Sequence, residues 1–156
     1  MEFKPEYYAV LEVLATGAKS VEEIADAVDV EPHDVETLLS ALIGQGLVER
    51  RERGLLFKKE VYSLTEKGWQ VLYQWRQTVK DAVHKAAEFR RPGKAEEADA
   101  VLAPVASLLP LLLTLGLLDM ALYAAALGEP PPLDDVNHID DTAEFDDVAA
   151  DFGEEL

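Results

Sequence analysis

A chain of 156 residues is long enough for one compact domain with appendages. It contains no cysteine, which excludes disulfides, thiolate catalysis and cysteine-ligated zinc. Its net charge of -17 is unevenly spread: residues 1–94 hold all 14 Lys and Arg with 16 Asp and Glu, whereas Ala95 to Leu156 carries 15 acidic residues and no basic one. Such asymmetry predicts two halves with different roles.

The start, Met1-Glu2-Phe3-Lys4-Pro5, lacks a basic region followed by an apolar core, so no signal peptide is expected and a cytoplasmic protein is. Tyr7, Val10, Leu11 and Leu14 then make a first amphipathic helix, ending near Thr16-Gly17. Ser20 and Glu23 form a capping-box pattern, followed by Val21, Ile24, Ala25 and Val28 at helical spacing. After a break at Asp29-Val30, a further helix carries Val35, Leu38, Leu39 and Leu42 and closes at Gly44 and Gly46. Leu47-Val48-Glu49-Arg50-Arg51 reads as a strand that turns at Gly54 and returns from Leu56 to Leu64. Leu64-Thr65-Glu66-Lys67-Gly68 then opens another helix, with Thr65 as its N-cap.

Helix, turn, helix and a hairpin of this length resemble the winged helix-turn-helix superfamily over roughly the first ninety residues. Val21-Glu22-Glu23-Ile24-Ala25, Gly46-Leu47-Val48-Glu49-Arg50 and Leu64-Thr65-Glu66-Lys67-Gly68 are similar to the second helix, first wing strand and closing helix start of MarR-like regulators. One departure is the wing tip, where Arg51-Glu52-Arg53-Gly54 stands in place of the Asp-x-Arg pair frequent in that family. The resemblance implies a DNA-binding transcriptional regulator whose recognition helix, the one carrying Val35 to Leu42, enters the major groove. The residues of that helix turned to base edges would be Glu31, His33, Thr37 and Ser40. Arg50, Arg51, Arg53, Lys58 and Lys59 would grip phosphates from the wing, or pair across the strands with Glu49, Glu52 and Glu60. The helix itself has no Lys or Arg, and Glu31, Asp34 and Glu36 meet the space where phosphates would lie.

The helix opened by Thr65 is expected to run to about Arg90, with Leu72, Trp75, Val79, Ala82, Ala86 and Phe89 forming a heptad-like seam. Its first half can pack on its own domain. Its second half suits a partner helix, so Trp75, Val79, Ala82, Ala86 and Phe89 are candidate homodimerisation residues. Arg91-Pro92-Gly93 breaks the helix.

Residues 100–118 then hold no charge, and the apolar run resumes from Met120 to Leu127. Residues 101–127 could span a membrane by length, yet Pro104, Pro110 and Asp119 favour short helices buried against the long helix and its copy. Residues 129–156 open with three prolines and carry 11 acidic residues, a composition expected to be disordered alone. Phe145 and Phe152 are its candidate anchors for a basic protein partner, or for the basic wing itself.

The fold expected is mainly α with a small β-hairpin: a winged helix-turn-helix (1–68), a long connecting helix (69–91), an apolar helical segment (95–128) and an acidic tail (129–156). No catalytic residues, cofactor or metal are expected. His33, His84 and His138 fall on separate segments without ligand spacing, and neither a phosphate loop nor a nucleophile–base pair is present. Two functions remain open: a DNA-binding regulator, or an interaction module of a transcription, replication or division assembly, membrane-anchored in one variant.

Overall fold

The computed structural model describes residues 2–128; Met1 and the acidic segment 129–156, with Phe145 and Phe152, lie outside the described residues. Helix α1 (Pro5–Ala15) begins with proline at its first turn, where the missing N–H costs no hydrogen bond. It buries Tyr8, Val10, Leu11, Val13 and Leu14, so the ring enclosed is Tyr8 and not the expected Tyr7, which is half-buried. The reason is chemical: Tyr8 places its hydroxyl on an acceptor, Glu12, inside the fold.

Helix α2 (Val21–Val28) starts with the expected capping box. The Glu23 backbone N–H donates to Ser20 Oγ at 3.2 Å, and the Ser20 N–H donates to Glu23 Oε1 at 3.1 Å. That Ser20 backbone donor is the main cause holding the Glu23 carboxyl below its ordinary range. Asp29 ends α2 in the left-handed region at φ 57°, and α3 (Pro32–Gly44) follows, burying Val35, Leu39 and Leu42. The strands β1 (Val48–Arg53) and β2 (Lys59–Leu64) pair antiparallel, from Val48 opposite Leu64 to Arg53 opposite Lys59. Lys19 adds a third rung beside β2, exchanging backbone hydrogen bonds of 3.0 and 2.7 Å with Tyr62. The return strand begins three residues later than its sequence suggests, which leaves Leu55, Leu56 and Phe57 in the wing tip.

Helix α4 (Glu66–Arg90) is capped by Thr65, whose Oγ1 accepts from the Gly68 N–H at 3.0 Å and donates to Gly46 O at 2.6 Å. Helices α5 (Ala95–Leu102) and α7 (Met120–Leu127) pack along α4, while a 3-10 segment at Ala103–Leu108 rests on α1 and leads through α6 (Leu109–Thr114) to α7. One hydrophobic core runs without interruption from Tyr8 to Ala126.

This packing covers part of the expected seam from within the chain. Trp75, Val79 and Ala86 are buried inside the same chain, Ala82 and Phe89 are half-buried, and Val83, absent from the heptad reading, is buried too. Helices α5 and α7 of the same chain pack against α4. Arg90 locks this return: its Nε donates to Ala126 O at 2.9 Å, satisfying a carbonyl at the end of α7, and it also pairs with Asp99 on α5.

Residues 101–127 do not form one straight helix. Gly116 turns the chain at φ 76°, and Asp119 caps α7 by accepting from the Leu122 N–H at 2.7 Å. Ala95–Thr114, at 20 residues and a mean hydropathy of 1.5, remains long and apolar enough to cross a bilayer by length and composition, with 33% of its most apolar window buried in the fold.

A polar cluster joins α1 to α4. Arg76 grips Glu12 with both nitrogens, Nε to Oε2 at 2.9 Å and a terminal nitrogen to Oε1 at 2.7 Å, while the Tyr8 hydroxyl donates to the same carboxylate. Burial first, then the Glu12 hydrogen bond, push the Tyr8 phenol far above its ordinary 10.0. The folded state keeps this proton where the unfolded chain releases it. The stabilisation is therefore complete below pH 10 and lost as pH rises from there toward the folded value. Tyr8→Phe is expected to be less stable than the native chain by about 1.5–3 kcal/mol at pH 7, because a hydrogen bond to a charged group is lost. Urea unfolding above pH 10 should show that gap closing by up to about 1.4 kcal/mol per pH unit. A gap constant across this range would sink the assignment.

Candidate nucleic-acid interface

The outward faces of α3 and the wing, together with the start of α2, enclose an open groove of about 500 Å³. Its polar lining includes Glu22, Glu36 and Ser40 on one side and Arg50, Lys59 and Tyr62 on the other. Three turns of α3 bury Val35, Leu39 and Leu42, and helical periodicity thereby points Glu36, Thr37 and Ser40 outward. Of the four residues expected to face bases, Ser40 alone lines this groove. His33 and Thr37 are exposed on α3 outside it, with the Thr37 hydroxyl donating to His33 O at 3.3 Å. Glu31 precedes the helix as its N-cap residue and makes no capping hydrogen bond. It lies in a separate depression shared with Glu22, Asp26 and Asp29.

All five wing cations are exposed, and four are paired. Arg50 meets Glu60 at 4.0 Å, Arg51 meets Glu49 at 2.5 Å, Arg53 meets Glu23 at 3.2 Å and Lys58 meets Glu52 at 3.7 Å. Arg50 also lies 5.8 Å from the Tyr62 ring centre, over its face. Glu23 was not among the partners expected. Its capping role hid a second one, because only the folding of the hairpin over α2 brings it to Arg53. Exposed pairs of this kind contribute about 0–1 kcal/mol each, so an incoming anion can replace the carboxylates at little loss.

The pairing register sets Arg53 directly opposite Lys59, and like charges so placed repel. An anion between them would relieve that strain. By contrast, α2 and α3 contain no Lys or Arg at all. Among the described residues no three His, Asp or Glu side chains converge as a metal site.

A family model described as Cmi2, C-terminal, a helix-turn-helix (HTH) model, matches residues 5–55, from α1 to the wing tip. No curated protein matches the chain in sequence. Among solved structures, a double mutant of Lactococcus lactis ZitR is 21% identical with a TM-score of 0.53, over 69% of this chain and 74% of that one. The apo form of the ZitR double mutant is 22% identical with a TM-score of 0.50, over 65% of this chain and 77% of that one. Bacillus subtilis PadR in complex with operator DNA is 25% identical with a TM-score of 0.41, and the match spans less than half of PadR, 46%. Helix-turn-helix, hairpin wing and closing helix together make residues 5–90 of this chain a winged helix-turn-helix fold.

Proposed function

We propose that this protein is a DNA-binding transcriptional regulator that grips DNA mainly through its wing and does no catalysis. The observation that carries this reading is the projecting hairpin with Arg50, Arg51, Arg53, Lys58 and Lys59 exposed beside the outward face of a helix-turn-helix. The cations hold phosphates, and Ser40, with Thr37, His33 and Glu31 further along, meets base edges. The acidic α2–α3 surface opposes close approach to phosphates, so most of the nonspecific affinity falls to the wing.

The test is fluorescence anisotropy of a mixed-sequence duplex with the full chain across a salt series. The full chain is the right reagent, since cutting after Lys94 would strip α5 and α7 from the core. Arg51→Ala with Arg53→Ala should weaken binding to every sequence and reduce the salt slope by about 2, near 0.9 for each phosphate no longer neutralised. Absence of binding at low salt would overturn the proposal.

A second reading is favoured by one feature, the absence of any Lys or Arg on α2 and α3 beside exposed Glu22, Asp26, Asp29, Glu31, Asp34 and Glu36. Under it, the helix-turn-helix face docks a basic protein within a larger assembly. Substituting Glu31 and Asp34 by Gln and Asn separates the two: DNA affinity rises under the first reading and is unchanged under the second.

A further inference from the structure

The wing ends in Leu55, Leu56 and Phe57, exposed to 97%, 90% and 90% and flanked by Arg53 and Lys58. Hairpin turns are ordinarily built from small polar residues, and a contiguous run of large apolar side chains in water marks a docking surface. Its occupant must combine apolar side chains for the tip with negative charge for the shoulders. A bilayer of anionic lipid fits the tip, but it would also press against exposed Glu22, Asp26, Glu31 and Asp34 on the neighbouring helices. The chain carries a better match in its own last residues. Residues 129–156 hold 11 Asp and Glu and no Lys or Arg, with Leu133, Val136, Ile139, Phe145, Val148, Phe152 and Leu156 interleaved.

We propose that residues 129–156 dock on the wing of the same chain, with Phe145 and Phe152 on the Leu55-Leu56-Phe57 tip. Tail carboxylates take over Arg50, Arg51, Arg53, Lys58 and Lys59 from their weak partners and sit between the opposed Arg53 and Lys59. Reach is sufficient. The described chain ends at Gly128, beside Arg90 at the far end of α4 from the wing. Helix α4 is about 37 Å long at 1.5 Å per residue, and the six-residue wing strands carry the tip at most about 20 Å beyond its start. The stretch from Gly128 can extend about 56 Å to Phe145 and about 79 Å to Phe152 at 3.3 Å per residue. The docked tail would occlude the surface to which DNA binding is assigned above, although the docking itself does not depend on that assignment.

Trypsin gives a direct test without DNA, because residues 95–156 contain no Lys or Arg and the protease leaves the tail whole. The rates of cutting after Arg53 and Lys58 are compared in the full chain and in full-length Phe145→Ser with Phe152→Ser. With an effective concentration near 1 mM and a segment affinity near 100 μM, the native chain should be cut about 10-fold more slowly. Leu56→Ser with Phe57→Ser should lose the same protection, while cutting after Lys94, beyond the far end of α4, stays unchanged in all three and reports intact folding. Equal rates at the wing in native and tail-substituted chains overturn the proposal. Protection that grows with protein concentration overturns it too, in favour of a tail from a second copy.

Discussion

Replacing Arg76 with alanine is expected to destabilise the fold by about 3–5 kcal/mol, the range for removing one partner of a buried ion pair. Glu12 is 1% exposed and receives both Arg76 nitrogens, so the substitution strands a carboxylate with only the Tyr8 hydroxyl for company. Losing the guanidinium also removes its aliphatic stem from the junction of α1 and α4. The reciprocal change, Glu12→Gln, should be milder, because Arg76 is 24% exposed at its side chain and can turn toward water. Glu12→Leu with Arg76→Leu removes both charges and is expected to recover most of the loss. Urea titrations followed by tryptophan fluorescence measure all three, since Trp75 is buried next to Arg76 in sequence, against Phe3. If Arg76→Ala proves within about 1 kcal/mol of native, the clamp is not what holds α1 to α4.

Gly68→Ala is the second large effect, and its sign is informative. Helix propensity alone favours alanine over glycine by about 1 kcal/mol, so an ordinary helical site would be stabilised. Here a Cβ on Gly68 would stand 2.0 Å from the Leu47 carbonyl oxygen, a backbone atom that also accepts from the Thr65 N–H at 3.0 Å. That oxygen cannot withdraw without breaking the junction of α3, β1 and α4. We expect a loss of about 3 kcal/mol, at the upper end for overpacking, read from the shift of the urea midpoint. A stabilised variant would show that α4 does not approach β1 so closely.

That second case shows how a short motif becomes readable only in part. Leu64-Thr65-Glu66-Lys67-Gly68 announces a helix start through Thr65, because capping depends on residues three apart along the chain. Why the motif ends in glycine is not local: the missing Cβ makes room for Leu47, twenty-one residues earlier. The capping box at Ser20 and Glu23 and the helix break at Asp29 belong to the first kind. Arg53 with Glu23, and Lys19 beside Tyr62, belong to the second.

The candidate interface divides the same way. The five wing cations and the acidic α3 could be read off directly, because charge and helical periodicity are properties of the linear chain. The carboxylates that pair with those cations, and the exposure of Leu55, Leu56 and Phe57, depend on where the return strand begins. An apolar run after a glycine reads equally as strand or tip.

By itself the sequence determined the order of elements, the caps, the winged-helix likeness and the charge divide at Lys94, since each follows from neighbours within a few residues. Only the tertiary structure decided what covers the seam of α4, because a heptad stripe states that something apolar must pack there and not which chain supplies it. The chain's own α5 and α7, held by Arg90, pack on α4 and place Trp75, Val79 and Ala86 in the core of the same chain.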